Sequence, residues 1–124
     1  MIVHGPLPRE NVAALYDAAD VFVLPSLKEP YGTVYGEAMA AGLPVVGWRA
    51  GNLPYLMEDG REGLLCDSGD IEGLARALER LVDDERLRRQ LGEAARRRAL
   101  ALPTWEDVAA LFFAAIRDAV RDAA

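Results

Sequence analysis

The sequence predicts an α/β fold in which a parallel sheet is covered by helices on both faces. Two observations predict it. Short, wholly apolar runs alternate with segments of helical periodicity until Gly69, and strands without polar residues are typical of sheets that are buried on both faces. After Gly69 only helical patterns follow. We therefore predict a single domain over residues 1–124, with a helical tail over about residues 70–124.

The predicted strands are the apolar runs that end at turn-forming residues. The run at the start of the chain is followed by Gly5 and Pro6, and the next run by Pro25 and Ser26. Glycine, proline and serine favour turns, so each run is bounded as a buried strand is expected to be. The predicted strands cover residues 1–4, 21–24, 43–48 and 63–66.

The predicted helices are recognised by their spacing and by the residues at their ends. Asp70 and Thr104 are of the types that accept a hydrogen bond from the first turn of a helix. Gly42, followed by Pro44, is typical of a helix end. The predicted helices cover residues 8–19, 33–41, 54–58, a segment that begins after Asp70, residues 84–100, and residues 104 to about 120.

Composition and charge exclude several classes of partner. The 124 residues carry a net charge of −6 and 52% of them are hydrophobic, which does not provide the basic surface that nucleic acids or anionic membranes require. The helix over residues 84–100 concentrates arginines, but glutamates and leucines are interleaved with them. We interpret this helix as a solvated face rather than a binding patch. Its arginines are Arg86, Arg88, Arg89, Arg96, Arg97 and Arg98.

The lengths of the apolar runs and two single residues indicate the compartment and the absence of a metal site. No apolar run approaches the ~20 residues of a membrane span, and no signal peptide opens the chain, so we expect a cytoplasmic protein. Cys66 lies in an apolar run and is expected to be a buried, small hydrophobic residue. His4 is the single histidine and has no cysteine or histidine partner, so we expect no zinc site.

The segment between the second predicted strand and the helix at Thr33 is the candidate site. Ligands of parallel α/β sheets bind beyond the carboxyl ends of the strands. Gly32 lets the backbone approach a ligand closely, and the free amides near Thr33 and Val34 can bind a phosphate. Glu37 lies one helical turn, about 5–6 Å, further along and suits the two hydroxyls of a ribose. Glu29 precedes the helix and can accept hydrogen bonds from a sugar.

The spacing by itself leaves a structural interpretation open. Two glutamates at this separation occur often by chance. Glu37 is then a solvated helix residue, and Gly32 is a plain turn.

The run over residues 29–46 resembles the signature of the group 1 glycosyltransferases, family 4 in the usual classification. These are retaining sugar transferases with two Rossmann-like domains, the glycosyltransferase-B fold. Their hallmark is two glutamates separated by seven residues, here Glu29 and Glu37, within a run that ends Glu-Ala-Met-Ala-x-Gly-x-Pro-Val-Val. The resemblance extends over roughly residues 3–100 and includes residues 18–26 before the signature, and Asp59, Gly60, residues 63–65 and residues 68–70 after it.

The resemblance implies that the chain is the nucleotide-sugar-binding part, in the C-terminal half, of a transferase that uses no metal or other cofactor. Glu29 is then the catalytic residue, which contacts the donor sugar and stabilises an oxocarbenium-like transition state. Glu37 holds the ribose, and the amides around Gly32 and Thr33 hold the diphosphate. The implied donor-binding residues are Tyr31, Gly32, Thr33, Val34 and Glu37. The resemblance also implies that a hexosyl-type group is transferred. The sequence does not identify the acceptor.

The chain departs from the family pattern in two ways. Family members have an N-terminal acceptor domain, and an arginine and a lysine that neutralise the diphosphate; both basic residues are expected before Met1. Lys28, the one lysine, does not match that position and is interpreted as a solvated loop charge. The family often has Gly-Gly-x-Pro-Glu where this chain has Gly51 to Tyr55, so sugar specificity stays open. Asn52 there can offer an amide to the donor or serve as a turn residue.

Three functions follow from these observations. The first is the donor domain of a nucleotide-sugar-dependent transferase whose parent is active and whose isolated part is not. The second is a non-catalytic nucleotide-binding or interaction module that keeps the fold. The third, an epimerase or phosphorylase with the same two-domain fold, fits the run from Glu29 to Gly32 poorly.

An exposed sheet edge is also predicted. In the doubly wound strand order the first two strands are central, and they are absent from this chain, so the predicted strand over residues 1–4 lacks its neighbours. An unpaired apolar edge favours association with a second copy or a partner chain. A monomer in light scattering contradicts this prediction.

Overall fold

A computed structural model describes residues 1–29 and 32–123, with Trp105 described by its backbone alone. Helices and strands alternate up to the third strand, and three helices follow. In chain order the elements are α1 (Arg9–Ala18), β1 (Phe22–Leu24), α2 (Thr33–Ala40), β2 (Val45–Trp48), α3 (Leu53–Leu56), β3 (Gly63–Cys66), α4 (Ile71–Asp83), α5 (Glu85–Leu100) and α6 (Trp105–Ala123).

The three strands form one parallel sheet in the order β1-β2-β3. Phe22 pairs with Val45, and Val45 pairs in turn with Gly63. Because all strands run the same way, their carboxyl ends meet at one edge, and the loops to α2, α3 and α4 leave from that edge. The predicted α/β architecture is confirmed.

Helices cover both faces of the sheet, and side chains alternate between the faces along each strand. On one face Val45 and Leu65 pack with α2, α3 and Ala95 of α5. On the other face Val46 and Leu64 pack with Leu81 of α4 and Leu91 of α5. The first cluster contains Tyr35, Ala38, Met39, Leu43, Val45, Leu53, Met57, Leu65 and Ala95.

Side-chain caps begin the last three helices, as the sequence predicts for two of them. The Asp70 carboxylate accepts a hydrogen bond from Gly73 N at 2.9 Å, and Asp84 accepts one from Leu87 N at 2.9 Å. At α6, Thr104 N donates to the Asp107 carboxylate and Asp107 N donates to Thr104 Oγ1. These bonds satisfy backbone amides that have no partner within the helix, and they fix where each helix starts.

The prediction of a strand over residues 1–4 is wrong. The structure assigns no strand there, and Met1, Ile2 and Val3 are exposed. A strand is stabilised by hydrogen bonds to a neighbour, and among the described residues β1 pairs only with β2. An apolar run without a neighbouring strand forms no such hydrogen bonds, so nothing stabilises the extended backbone of a strand there. The association predicted for the edge of this strand therefore lacks that strand. Among the described residues the unpaired edge belongs to β1, where Val23 is exposed, and self-association through an exposed sheet edge stays a prediction.

The interpretation of the arginines in α5 as solvated is wrong for two of them. Arg88 Nη1 donates to the carbonyl oxygens of Leu81 and Val82 at 2.7 and 2.9 Å, which satisfies the end of α4. Arg98 donates to Glu62 Oε1 at 3.2 Å and to the carbonyl of Tyr55 at 3.3 Å. The acceptors lie outside α5, at the end of α4 for Arg88 and near α3 and β3 for Arg98, so helical spacing does not reveal them.

Cys66 is a buried free thiol, as predicted. Burial, with a smaller contribution from the charge of Asp70, raises the pKa of this thiol, so it remains protonated at neutral pH. Among the helices described, none has the length and the hydrophobicity that crossing a membrane requires. The cytoplasmic location stays a prediction.

Candidate functional site

The loops after β1 and β2 contact each other at the carboxyl edge of the sheet. The carbonyl of Glu29, in the first loop, accepts a hydrogen bond from Asn52 N, in the second, at 3.1 Å. Gly51 has φ of +59°, and a Cβ at this position would lie 2.9 Å from Glu29 O and 3.1 Å from Glu29 N. Only glycine allows this close approach. The backbone of Glu29 is therefore fixed by residues that follow a different strand.

Gly32, the residue directly before α2, has a left-handed backbone conformation with φ of +67°. A Cβ here would lie 2.5 Å from Leu56 Cδ1 and 3.2 Å from Asn52 Nδ2. As a glycine, Gly32 has no side chain with which to cap this end of the helix. The amides of Thr33 and Val34 belong to the first turn, which has no acceptors within the helix and carries the positive end of the helix dipole. This helix end can accept an anion.

Tyr35 anchors the start of α2 to the end of β1. Its hydroxyl donates to the carbonyl of Leu24 at 3.1 Å, and its ring meets the ring of Phe22 edge-on at 6.1 Å. Burial, with a smaller contribution from the nearby charge of Glu29, raises the pKa of the phenol. The sequence analysis missed Tyr35. Its signal was an aromatic side chain with a polar hydroxyl in a short helix beside a buried strand, because such a hydroxyl needs a partner when it is buried.

Glu37 is exposed on α2 and its carboxylate contacts α1. The Tyr16 hydroxyl donates to Glu37 Oε2 at 3.2 Å. Burial, followed by the charge of Glu37 and this hydrogen bond, raises the pKa of Tyr16. Both side chains line a cavity of about 390 Å³ between α1 and α2, together with Arg9, Val12 and Asp17. The sequence analysis did not predict this hydrogen bond.

The structure brings most of the predicted site residues together around the start of α2. Gly32 is buried, Glu29 and Val34 are half-buried, and Thr33 and Glu37 are exposed. Tyr31 lies outside the described residues. The ligand-binding roles of all six residues stay predictions.

The sequence analysis gave Asn52 two possible roles, a donor contact and a turn residue, and interpreted Lys28 as a solvated loop charge. Asn52 makes turn contacts, because its amide N–H donates to Glu29 and its carbonyl accepts from Tyr55 N at 3.1 Å. Its side-chain amide also lies beside Gly32, at the anion-accepting end of α2. Lys28 is exposed, as expected for a solvated loop charge, and its backbone N–H donates to Ser26 Oγ at 3.3 Å.

The family described as glycosyl transferases group 1 matches residues 1–98 of the chain. The chain belongs to this family.

The chain is similar to known glycosyltransferases both in sequence and in structure. The D-inositol 3-phosphate glycosyltransferase of Corynebacterium diphtheriae is 47% identical over 90 residues, which are 73% of this chain and 21% of that protein. The sucrose-phosphate synthase of Thermosynechococcus elongatus superposes with a TM-score of 0.85 at 36% identity, over 96% of this chain and 30% of the other. HepE of Anabaena in complex with UDP has a TM-score of 0.69 at 32% identity, over 73% and 25% of the two chains.

The chain spans about a fifth to a third of the length of these relatives. The fold and the family are therefore those of a glycosyltransferase domain, and the activity, substrates and partners of a complete protein belong to the proposal that follows.

Proposed function

We propose that this protein binds the nucleotide diphosphate sugar of a retaining glycosyl transfer. The observation that carries the proposal is the arrangement around α2. The start of α2, with the glycine Gly32 at its N-cap position in a left-handed conformation, lies between two glutamates, one before the helix and one a turn inside it. The diphosphate binds the amides of Thr33 and Val34, and Glu37 accepts hydrogen bonds from the ribose hydroxyls. Tyr31 contributes to the same donor site.

In this proposal Glu29 faces the donor sugar. Its backbone is fixed by Gly51 and Asn52, so its carboxylate is presented from a constrained loop. A carboxylate beside the sugar stabilises the positive charge that develops on the anomeric carbon as the bond to the diphosphate breaks. The leaving diphosphate is stabilised by the helix end. We propose that the transfer needs no metal ion or other cofactor and takes place in a longer protein that also binds the acceptor.

Calorimetric titration with UDP, GDP and ADP tests the proposal. We expect saturable binding of one of the three nucleotides. Glu37→Ala is expected to weaken it by about 10- to 100-fold, because hydrogen bonds to a charged acceptor contribute about 1.5–3 kcal/mol.

Glu79→Ala is the matched control, since Glu79 is also an exposed helix glutamate but lies on α4. It should bind as the unchanged protein does. Equal affinities for the Glu37 and Glu79 variants would contradict a ribose-binding role for Glu37.

A second candidate function is a binding module without transfer chemistry. One observation favours it: Arg49, which directly follows β2 at the same edge of the sheet, is paired with Asp59 at 3.5 Å and with Asp67 at 3.4 Å. Its charge is thereby partly neutralised and is less available to a diphosphate. If none of the three nucleotides binds at millimolar concentrations, a non-catalytic interaction module is the better supported form of this second function.

A further inference from the structure

Glu37 needs an external restraint to hold a ribose in one orientation. It is exposed on α2, a helix of eight residues, and a glutamate side chain with free rotations loses considerable entropy when a ligand fixes it. Any contact that fixes the carboxylate before the ligand arrives removes part of that cost. Such a contact is present in the structure.

The contact comes from Tyr16, whose ring is itself held in place. Tyr16 packs against the first core cluster, and its ring lies 6.0 Å from the ring of Phe22 at an angle of 51°. A tyrosine has only two side-chain rotations, so a packed ring places its hydroxyl accurately. That hydroxyl donates to Glu37 Oε2 at 3.2 Å.

We propose that Tyr16 is a positioning residue that orients the Glu37 carboxylate toward the two hydroxyls of the donor ribose. This inference rests on the proposed function and identifies the part of α1 that shapes the same site. A carboxylate offers about four lone-pair positions. The phenol occupies one of them, on Oε2, and leaves Oε1 and the second position of Oε2 for the two hydroxyls.

Two further features agree with this role. The raised pKa of Tyr16 keeps its phenol protonated at neutral pH, so it remains a donor beside a carboxylate. The cavity between α1 and α2 reaches both side chains, so the carboxylate is accessible from solvent while the phenol holds it from the side of α1.

The test compares nucleotides that have the ribose hydroxyls with nucleotides that lack them. Tyr16→Phe, Glu37→Gln and the double variant are titrated with UDP, GDP and ADP and with the 2′,3′-dideoxy form of each. We expect Tyr16→Phe to weaken binding of the preferred nucleotide about 3- to 10-fold, as expected when one long side chain must be ordered on binding. Its affinity for the dideoxy form should equal that of the unchanged protein. The double variant should bind no more weakly than Glu37→Gln alone, because the two residues act as a unit.

The other outcomes separate the two proposals. If Glu37→Gln weakens binding and Tyr16→Phe does not, the positioning role is overturned and the proposed function stands. If Tyr16→Phe weakens the ribose and dideoxy forms equally, Tyr16 acts through packing and the positioning role is overturned. If no nucleotide binds, or if Glu37→Gln changes nothing, the proposed function fails and the positioning role fails with it. Urea unfolding of each variant identifies any loss of affinity that comes from loss of folded protein.

Discussion

Leu81→Ala is expected to lower the free energy of unfolding by about 2–5 kcal/mol. Leu81 is fully buried where α4 packs on the second face of the sheet, in contact with the cluster formed by Val46, Leu64 and Leu91. The substitution removes three carbon atoms from a closely packed interior and leaves a cavity that the neighbouring helix and strands fill only in part. Urea unfolding followed by far-ultraviolet circular dichroism measures the change.

The matched control for Leu81 is the next residue of the same helix. Val82 is 69% exposed, so Val82→Ala should change the free energy of unfolding by no more than about 0.5 kcal/mol. Similar losses in the two variants would contradict the assignment of Leu81 to the core between α4 and the sheet.

Arg98→Ala is expected to lower the free energy of unfolding by about 2–3 kcal/mol. The side chain of Glu62 is 3% exposed, and its carboxylate accepts hydrogen bonds from Arg98 Nη1 at 3.2 Å and from Glu58 N at 2.8 Å. Removing the guanidinium leaves a buried charge with less compensation, and only the more exposed Arg61, at 3.7 Å, remains paired with it. The effect is expected below the full cost of breaking a buried pair, because Arg98 itself is partly exposed. The variant is compared with the unchanged protein by urea unfolding.

Two further variants show whether the buried charge is the cause. Arg97→Ala removes an exposed arginine from the same turn of α5 and should have little effect. Adding Glu62→Gln to Arg98→Ala should recover part of the lost stability, since a neutral amide is less costly to bury than a carboxylate that has lost one of its partners. If the double variant is no more stable than Arg98→Ala, the buried charge of Glu62 is not the cause of the loss.

The features that the sequence predicts well are those decided within a few residues. Asp70 caps a helix through the amide three residues further on, and the chemistry of that bond needs nothing from the rest of the chain. Strand β3 matches its predicted range. Strand β2 begins later than predicted, at Val45, after Pro44, which has no N–H to donate to a sheet. These boundaries follow from the side chains present and from backbone chemistry.

The predictions that failed depended on neighbours outside the element in question. Residues 1–4 have the composition of a strand, but no strand in the described chain pairs with them. Arg88 and Arg98 fit the spacing of a solvated helix face, but carbonyls at the end of α4 and a carboxylate before β3 hold them inward. A periodic pattern records which face of a helix a residue occupies and does not record which acceptor lies beyond that face.

The sequence by itself determined the alternation of strands and helices, the helix caps, and the pair of glutamates around the start of α2. These depend on composition and short spacings, and the resemblance built on them agrees with the family to which the chain belongs. Tertiary structure alone decided that Gly51 and Asn52 fix the backbone of Glu29, and that Tyr16 contacts the carboxylate of Glu37, 21 positions along the chain. The physical reason is that the parallel sheet brings the ends of successive strands to one edge, so residues far apart in sequence become neighbours only after the strands have paired.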